Sequence, residues 1–144
     1  MLVRQLDIQR IVDLDFLPND DDFQLWVEKA LADYSQDAEV VIRIVDIQEM
    51  TELNSQYRGK QGATNILSFP FDLPDGVEGI DLLGDLVVCA AVLEQEAAQQ
   101  NKVLSAHWAH IVIHGVLHLL GYDHLADDEA IEMESKEILL LQKL

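Results

Sequence analysis

Three histidines, His114, His118 and His124, stand in the pattern H-x3-H-x5-H within the run HGVLHLLGYDH. Imidazoles at that spacing can converge on one metal ion. The stretch LSAHWAHIVIHGVLHLL from Leu104 to Leu120 has the length and apolar content of a buried helix, and residues four apart on a helix share a face. His114 and His118 therefore point the same way, one turn apart. A third ligand from the next turn of the same helix would sit too far along the axis, because each turn rises about 5.4 Å and zinc–nitrogen bonds are about 2 Å. The chain must double back. Gly121 supplies the means, since a glycine just past a helix accepts the left-handed conformation that ends it, and His124 follows three residues later.

Zinc is the natural occupant, since neutral imidazoles suit it and three protein ligands with an open fourth position is its usual catalytic arrangement. Nickel, copper or iron would also accept such a site. Lone histidines are ordinarily core or surface residues, but three of five at ligand spacing around a helix-stopping glycine favour the metal reading. The only cysteine, Cys89, is remote in sequence and reads as a small buried strand residue. His107 and His110 lie on nearly the same helical face as the ligand pair, and His110, one turn before His114, is placed to support a ligand or to pack in the core. Zinc peptidases of the H-E-x-x-H type carry a glutamate after the first histidine as general base; here that position is Gly115. A base must then come from elsewhere. Asp123, beside His124, and Asp85 are candidates for a base or for orienting a ligand.

The elements that must position these residues follow from pattern. Val3 to Gln9 alternates weakly, as an edge strand does. PNDDDFQLWVEKALADY reads as a helix with Asp21 and Gln24 as a capping box, and EVVIRIVD, Glu39 to Asp46, as a central strand. A helix over Ile47 to Tyr57 is expected to pack on Ile47, Met50, Leu53 and Tyr57. Asn65 to Phe71 and Leu82 to Ala90 are two further strands, joined by a loop marked by Pro74 and Asp75-Gly76. A helix from Ala91 to Asn101 precedes the metal helix, and a last one spans Asp127 to Leu141, its acidic first turn complementing the helix dipole. The sum is an α+β domain with a mixed sheet of about four strands and several helices around it.

At 144 residues and 49% hydrophobic content the chain fits a single domain, 1–144, with a proper core. One cysteine excludes an intramolecular disulfide. With no secretory pattern at the N-terminus and no apolar run of spanning length, a cytoplasmic protein without membrane attachment is expected. The formal net charge of −18 argues against nucleic-acid binding in general, because phosphate contacts supply most of that affinity. Its distribution is uneven, however. Arg58 and Lys60 stand together, and a local potential can differ from the global sum, particularly beside a divalent cation.

HGVLHLLGYDH, together with YRGKQGATNILSFPFD from Tyr57 to Asp72 and LLGDLVVC from Leu82 to Cys89, closely resembles the YbeY family of bacterial endoribonucleases over essentially the whole chain. The resemblance implies a zincin-like fold, one divalent metal, zinc by the donor set, held by His114, His118 and His124, and single-strand endoribonuclease activity in ribosomal RNA maturation and ribosome quality control. It also implies a functional arginine at Arg58. Phosphodiester cleavage builds negative charge on nonbridging oxygens, which a planar guanidinium can hold in pairs. Arg58 and His114 are thus the expected catalytic residues, and Lys60, Asn65 and Ser68 candidate RNA contacts. Single-stranded ribosomal RNA precursors are the expected substrate, with no DNA. So acidic a protein needs recruitment, for which a ribosomal protein or a ribosome-associated GTPase is suited. Two other readings stay open: a metallohydrolase of peptide or other amide bonds, and an assembly factor whose metal is mainly structural.

Overall fold

The computed structural model describes residues 4–12, 14, 17–32, 34, 37–70 and 82–120. Gly121, Asp123, His124, the expected helix from Asp127 to Leu141 and the loop around Asp75-Gly76 lie outside them.

The strand with the strongest apolar alternation organises the rest. AEVVIRIV forms β2 (Ala38–Val45), with Val40, Ile42 and Ile44 fully buried on one face. It pairs in parallel with β1 (Arg4–Arg10) on one side and β4 (Leu82–Cys89) on the other. Antiparallel to β4 runs β3 (Ile66–Pro70), so the order is β1-β2-β4-β3, a mixed four-stranded sheet. Parallel neighbours need crossover connections, and these are helical. Between β1 and β2 lies α1 (Asp20–Ala30), and α2 (Ile47–Arg58) follows β2. After β4 come α3 (Ala90–Gln99) and α4 (Leu104–Leu119).

Side chains alternate across a strand, and the two faces of the sheet carry separate cores. Leu86 and Val88 of β4, with Val40, Ile42 and Ile44, pack against α1, α3 and α4. Within that layer Phe23 meets Trp26 and Trp108 edge to face, with ring centroids 5.6 and 5.7 Å apart. On the other face Val45, Val87, Cys89 and Leu67 pack on Met50 of α2.

Local chemistry sets the helix ends, and it corrects two expectations. The N-cap of α1 is Asn19, whose side chain accepts from the Asp22 amide at 2.8 Å, so the expected Asp21–Gln24 box does not form. Gln24 instead donates to Glu28 at 3.1 Å, one turn on. Asp46, expected to close the strand, caps α2 by accepting from the Glu49 amide at 2.8 Å. The apolar side of α2 is narrower than its pattern: Met50 is buried, but Ile47 and Tyr57 are 49% and 58% exposed.

Two glycines set how closely the layers approach. Gly84 has φ +152, and a Cβ there would lie 2.3 Å from the Phe69 carbonyl oxygen. Only glycine fits where β4 meets β3. A Cβ on Gly115 would stand 2.7 Å from Ile66 Cδ1 and 2.9 Å from Leu86 Cδ2, so α4 rests directly on the edge of the sheet at this position.

Candidate metal centre and its cavity

The helix that carries the histidines is nearly sunk. From His107 to Leu119 every residue is buried except His110, His114 and His118. These three recur every four residues and form the one stripe of that stretch with side chains reaching solvent, as helical periodicity requires. Their rings make a ladder: the centroids of His110 and His114 are 6.3 Å apart, and those of His114 and His118 4.5 Å apart.

The ladder tightens where ligands are expected. The Nε2 atoms of His114 and His118 approach to 3.0 Å. Two zinc–nitrogen bonds of about 2.0–2.1 Å at a tetrahedral angle would put their nitrogens about 3.3 Å apart, within a few tenths of an ångström of this spacing. The pair therefore fits two positions of a metal's coordination shell. Among the described residues no third histidine, cysteine or carboxylate joins them, and the expected third ligand, His124, lies outside that set. The helix itself gives out where the sequence requires it to: α4 ends at Leu119, and the Leu120 amide bonds back to Val116 and Leu117, just before Gly121.

His114 and His118 open onto a cavity of about 550 Å³ whose described lining also includes Tyr57, Arg58, Thr64, Asn65, Ser68 and Phe69. The cavity follows the edge of β3. Ile66, Leu67, Ser68 and Phe69 all line it, and consecutive strand residues, which point to alternate faces, can do so only if the strand is seen edge-on. α4 borders it from one face of the sheet, and the C-terminal end of α2 from the other.

Arg58 is held there by the way α2 ends. Gly59 takes the left-handed conformation, φ 64, and its amide bonds to Ser55, a glycine C-cap. Asn54, 3% exposed, ties down the following turn, its side-chain Nδ2 donating to the Gly62 carbonyl at 2.9 Å while its main-chain carbonyl accepts from the Lys60 amide. Arg58 is exposed and has no ion-pair partner among the described residues. Arg10 and Arg43, in contrast, are engaged by Asp20 and Glu49 at 2.8 and 2.7 Å.

Arg58, Asn65, Ser68, His114 and His118 are thus brought together around one cavity. Lys60 is exposed and lies outside its lining. His110 stands beside His114 but lines a different cavity, of about 640 Å³, with His107, Trp26 and Lys102. Asp85 is exposed and, by strand alternation, shares the face of Val87 and Cys89, opposite α4; it is not among the described residues that line the cavity with the histidines. Cys89 is buried on that same far face, and burial pushes its thiol above the ordinary range, so it is no fourth ligand.

Several contributors were not foreseen. Tyr57 and Phe69 pack edge to face, 5.1 Å between centroids, at one wall of the cavity; the aromatic pair could have been suspected only from knowing that α2 and β3 meet. Glu96 joins Asn65 to the buried His107: Asn65 Nδ2 donates to its two carboxylate oxygens at 3.3 and 3.4 Å, and His107 Nε2 lies 3.0 Å from Oε1. Asn54 left a weak signal, a poor helix former one turn before Arg58.

Among solved structures, the chain is similar to that of TM1509 from Thermotoga maritima, determined in solution, with 26% sequence identity, a TM-score of 0.65, and coverage of 97% of this chain and 87% of that one. No helix among the described residues is long and apolar enough to cross a membrane. The family model described as endoribonuclease YbeY matches residues 13–144. With its α+β sheet, its paired histidines and its arginine on one cavity, the chain belongs to the YbeY family of endoribonucleases, enzymes of ribosomal RNA processing.

Proposed function

We propose that this protein is a metal-dependent endoribonuclease that cleaves single-stranded ribosomal RNA precursors, in rRNA maturation and ribosome quality control, with residues 1–144 acting as one cytoplasmic domain. The observation that carries the reading is that Arg58 and the His114–His118 pair, from helices on opposite faces of the sheet, open onto the same cavity.

The residues divide the work. His114, His118 and His124 would hold a divalent ion, zinc being the best match to neutral imidazoles, and such an ion supplies Lewis acidity where a phosphodiester is cleaved. Arg58, unclaimed by any described carboxylate, offers a planar pair of donors to the nonbridging oxygens as their charge grows. Ser68, on the edge strand, and Asn65 offer hydrogen bonds to the sugar or base. Tyr57 presents an exposed ring on which an unpaired base can stack, a contact that double-stranded RNA, with its bases already stacked, cannot make. The described lining contains no carboxylate, although 27 of the 144 residues are acidic.

Peptide hydrolysis of the H-E-x-x-H type is disfavoured by packing as well as by sequence. Position 115 abuts Ile66 and Leu86 closely enough to crowd even a Cβ, so a glutamate there would have to displace both side chains. Delivery to ribosomal RNA by a ribosomal protein or a ribosome-associated GTPase follows from the net charge, which opposes capture of free RNA.

The test is cleavage of single-stranded ribosomal RNA by zinc-loaded protein, with His114→Ala and Arg58→Ala purified identically. Both substitutions should suppress cleavage, and Arg58→Ala should do so while keeping its zinc. Full activity in Arg58→Ala would remove the arginine from the mechanism, and full activity after zinc is stripped would leave the metal a structural or assembly role.

A further inference from the structure

Resting on the RNA-cleaving reading above, we propose that Asn65 reads a hydrogen-bond donor on the bound nucleotide, a ribose 2′-hydroxyl or an exocyclic base amine, and that Glu96 with His107 fixes the amide for this task.

Asn65 stands immediately before β3, partly exposed, its main chain anchored by accepting from the Cys89 amide at 3.0 Å. Its side chain reaches Glu96 on α3. A side-chain amide has two ends that differ in kind, NH₂ donating and C=O accepting. An ionised carboxylate accepts only, so the end facing Glu96 is the NH₂ end. The carbonyl, Oδ1, is therefore turned away from Glu96. It makes no hydrogen bond within the described residues and is not among the polar atoms sealed from solvent, while the residue lines the cavity shared with Arg58 and the histidines. A side-chain acceptor is thus presented in the same cavity as the Arg58 guanidinium and the histidines. The nucleotide groups that complement an acceptor are the 2′-hydroxyl and the amino groups of adenine, cytosine and guanine.

Glu96 is itself held in place. His107, with a side chain 4% exposed, meets Glu96 Oε1 at 3.0 Å, so one carboxylate is gripped from α4 and from the start of β3 at once. Without that grip the amide could turn over and present its NH₂ to the cavity instead. Glu96 and His107 are positioning residues, acting through Asn65.

The experiment pairs substitutions in protein and RNA. A short labelled single strand is compared with versions carrying one 2′-deoxy sugar or one base without its exocyclic amine, scanned along the strand. Affinity is read by fluorescence anisotropy before cleavage sets in, and cleavage is followed on the same samples. In the wild type one replacement should weaken binding about three- to tenfold, the size of a single neutral hydrogen bond, and in Asn65→Ala the same replacement should have no effect. A sugar replacement that behaves so assigns the 2′-hydroxyl, and a base replacement the amine. Glu96→Gln can accept or donate and so frees the amide to turn; its sensitivity should fall between those of the wild type and Asn65→Ala.

If every replacement weakens wild type and Asn65→Ala alike, the contact does not exist. Unchanged sensitivity in Glu96→Gln would overturn the positioning role alone. Selective binding without cleavage by the wild type would support the contact while removing the nuclease reading, and absence of any RNA binding would overturn both.

Discussion

Writing the peptidase motif back into the helix by Gly115→Glu should unfold or disorder the site rather than create a peptidase. A Cβ at position 115 stands 2.7 Å from Ile66 Cδ1 and 2.9 Å from Leu86 Cδ2, against about 3.5–4.0 Å for an unstrained carbon contact. The obstructing atoms are side-chain ends, which can shift. For Gly115→Ala the overpacking cost of about 1–3 kcal/mol is therefore set against a helix-propensity gain of about 1 kcal/mol. The net loss is about 0–2 kcal/mol, or up to about 7 °C in Tm for a chain of this size. Glutamate adds a longer, charged side chain against Ile66 and Leu86, and any burial of its carboxylate there costs several kcal/mol more. That is a large share of the about 5–15 kcal/mol that holds a domain folded. Circular dichroism melts, bound zinc and a peptide-library assay on the three proteins decide the matter. A Gly115→Glu protein that melts with the wild type, keeps zinc and cleaves peptides would refute the claim that packing bars a side chain at this position.

Gly84→Ala should be worse tolerated than Gly115→Ala, because its Cβ meets a main-chain oxygen at 2.3 Å in a backbone conformation L residues avoid; a loss of about 2–4 kcal/mol, read as a fall in the urea midpoint, is expected. Asn19→Ala removes the cap of α1 and should cost about 1 kcal/mol in the same measurement without altering RNA cleavage. Cys89 supplies a pH signature. Burial raises its folded pKa, so the folded state favours the protonated thiol; the associated stability is present below the unfolded pKa and is lost as pH rises beyond about 8.5. Melting temperature should decline there more steeply in the wild type than in Cys89→Ala. Arg58→Lys keeps the charge but loses the paired donors and should recover only part of the activity lost in Arg58→Ala.

What could be read from the chain alone was whatever depends on short-range periodicity. The four strands, the four described helices and the shared face of His114 and His118 follow from spacings of two and four residues. The arrangement of faces does not. Asp85 and the histidines could be put on opposite sides of the sheet only after β3 was known to pair with β4 and α4 to lie over Leu86 and Val88. The cap of α1 was misplaced because Asn19, Asp20, Asp21 and Asp22 are all competent caps, and the choice among them rests on where Phe23 and Trp26 must point to meet Trp108. The place of Glu96 was invisible because nothing local distinguishes it from the other acids of an acidic chain; only the meeting of α3, α4 and the start of β3 gives it its partners Asn65 and His107.

That acidity is the remaining physical difficulty for an RNA enzyme, and the structure shows how the difficulty is localised. A charge of −18 repels a polyanion at long range, but at 0.15 M salt the Debye length is about 8 Å, so what matters once contact is made is the set of charges within roughly one such length of the phosphate. Lining the cavity, that set contains Arg58 and no described carboxylate, and the nearby Glu96 stands behind Asn65, taken up by Asn65 and His107. Arg10 and Arg43 are compensated by their own acidic partners and add nothing to attraction. Binding should therefore depend on few ionic contacts, and the slope of log affinity against log salt should be shallow, nearer that of one or two phosphates than of an extended basic groove. Removing Arg58 should flatten it further. A steep slope in the wild type would mean that cations elsewhere carry the strand. A shallow one leaves encounter with free RNA slow, and selects for a substrate presented at short range by a bound partner.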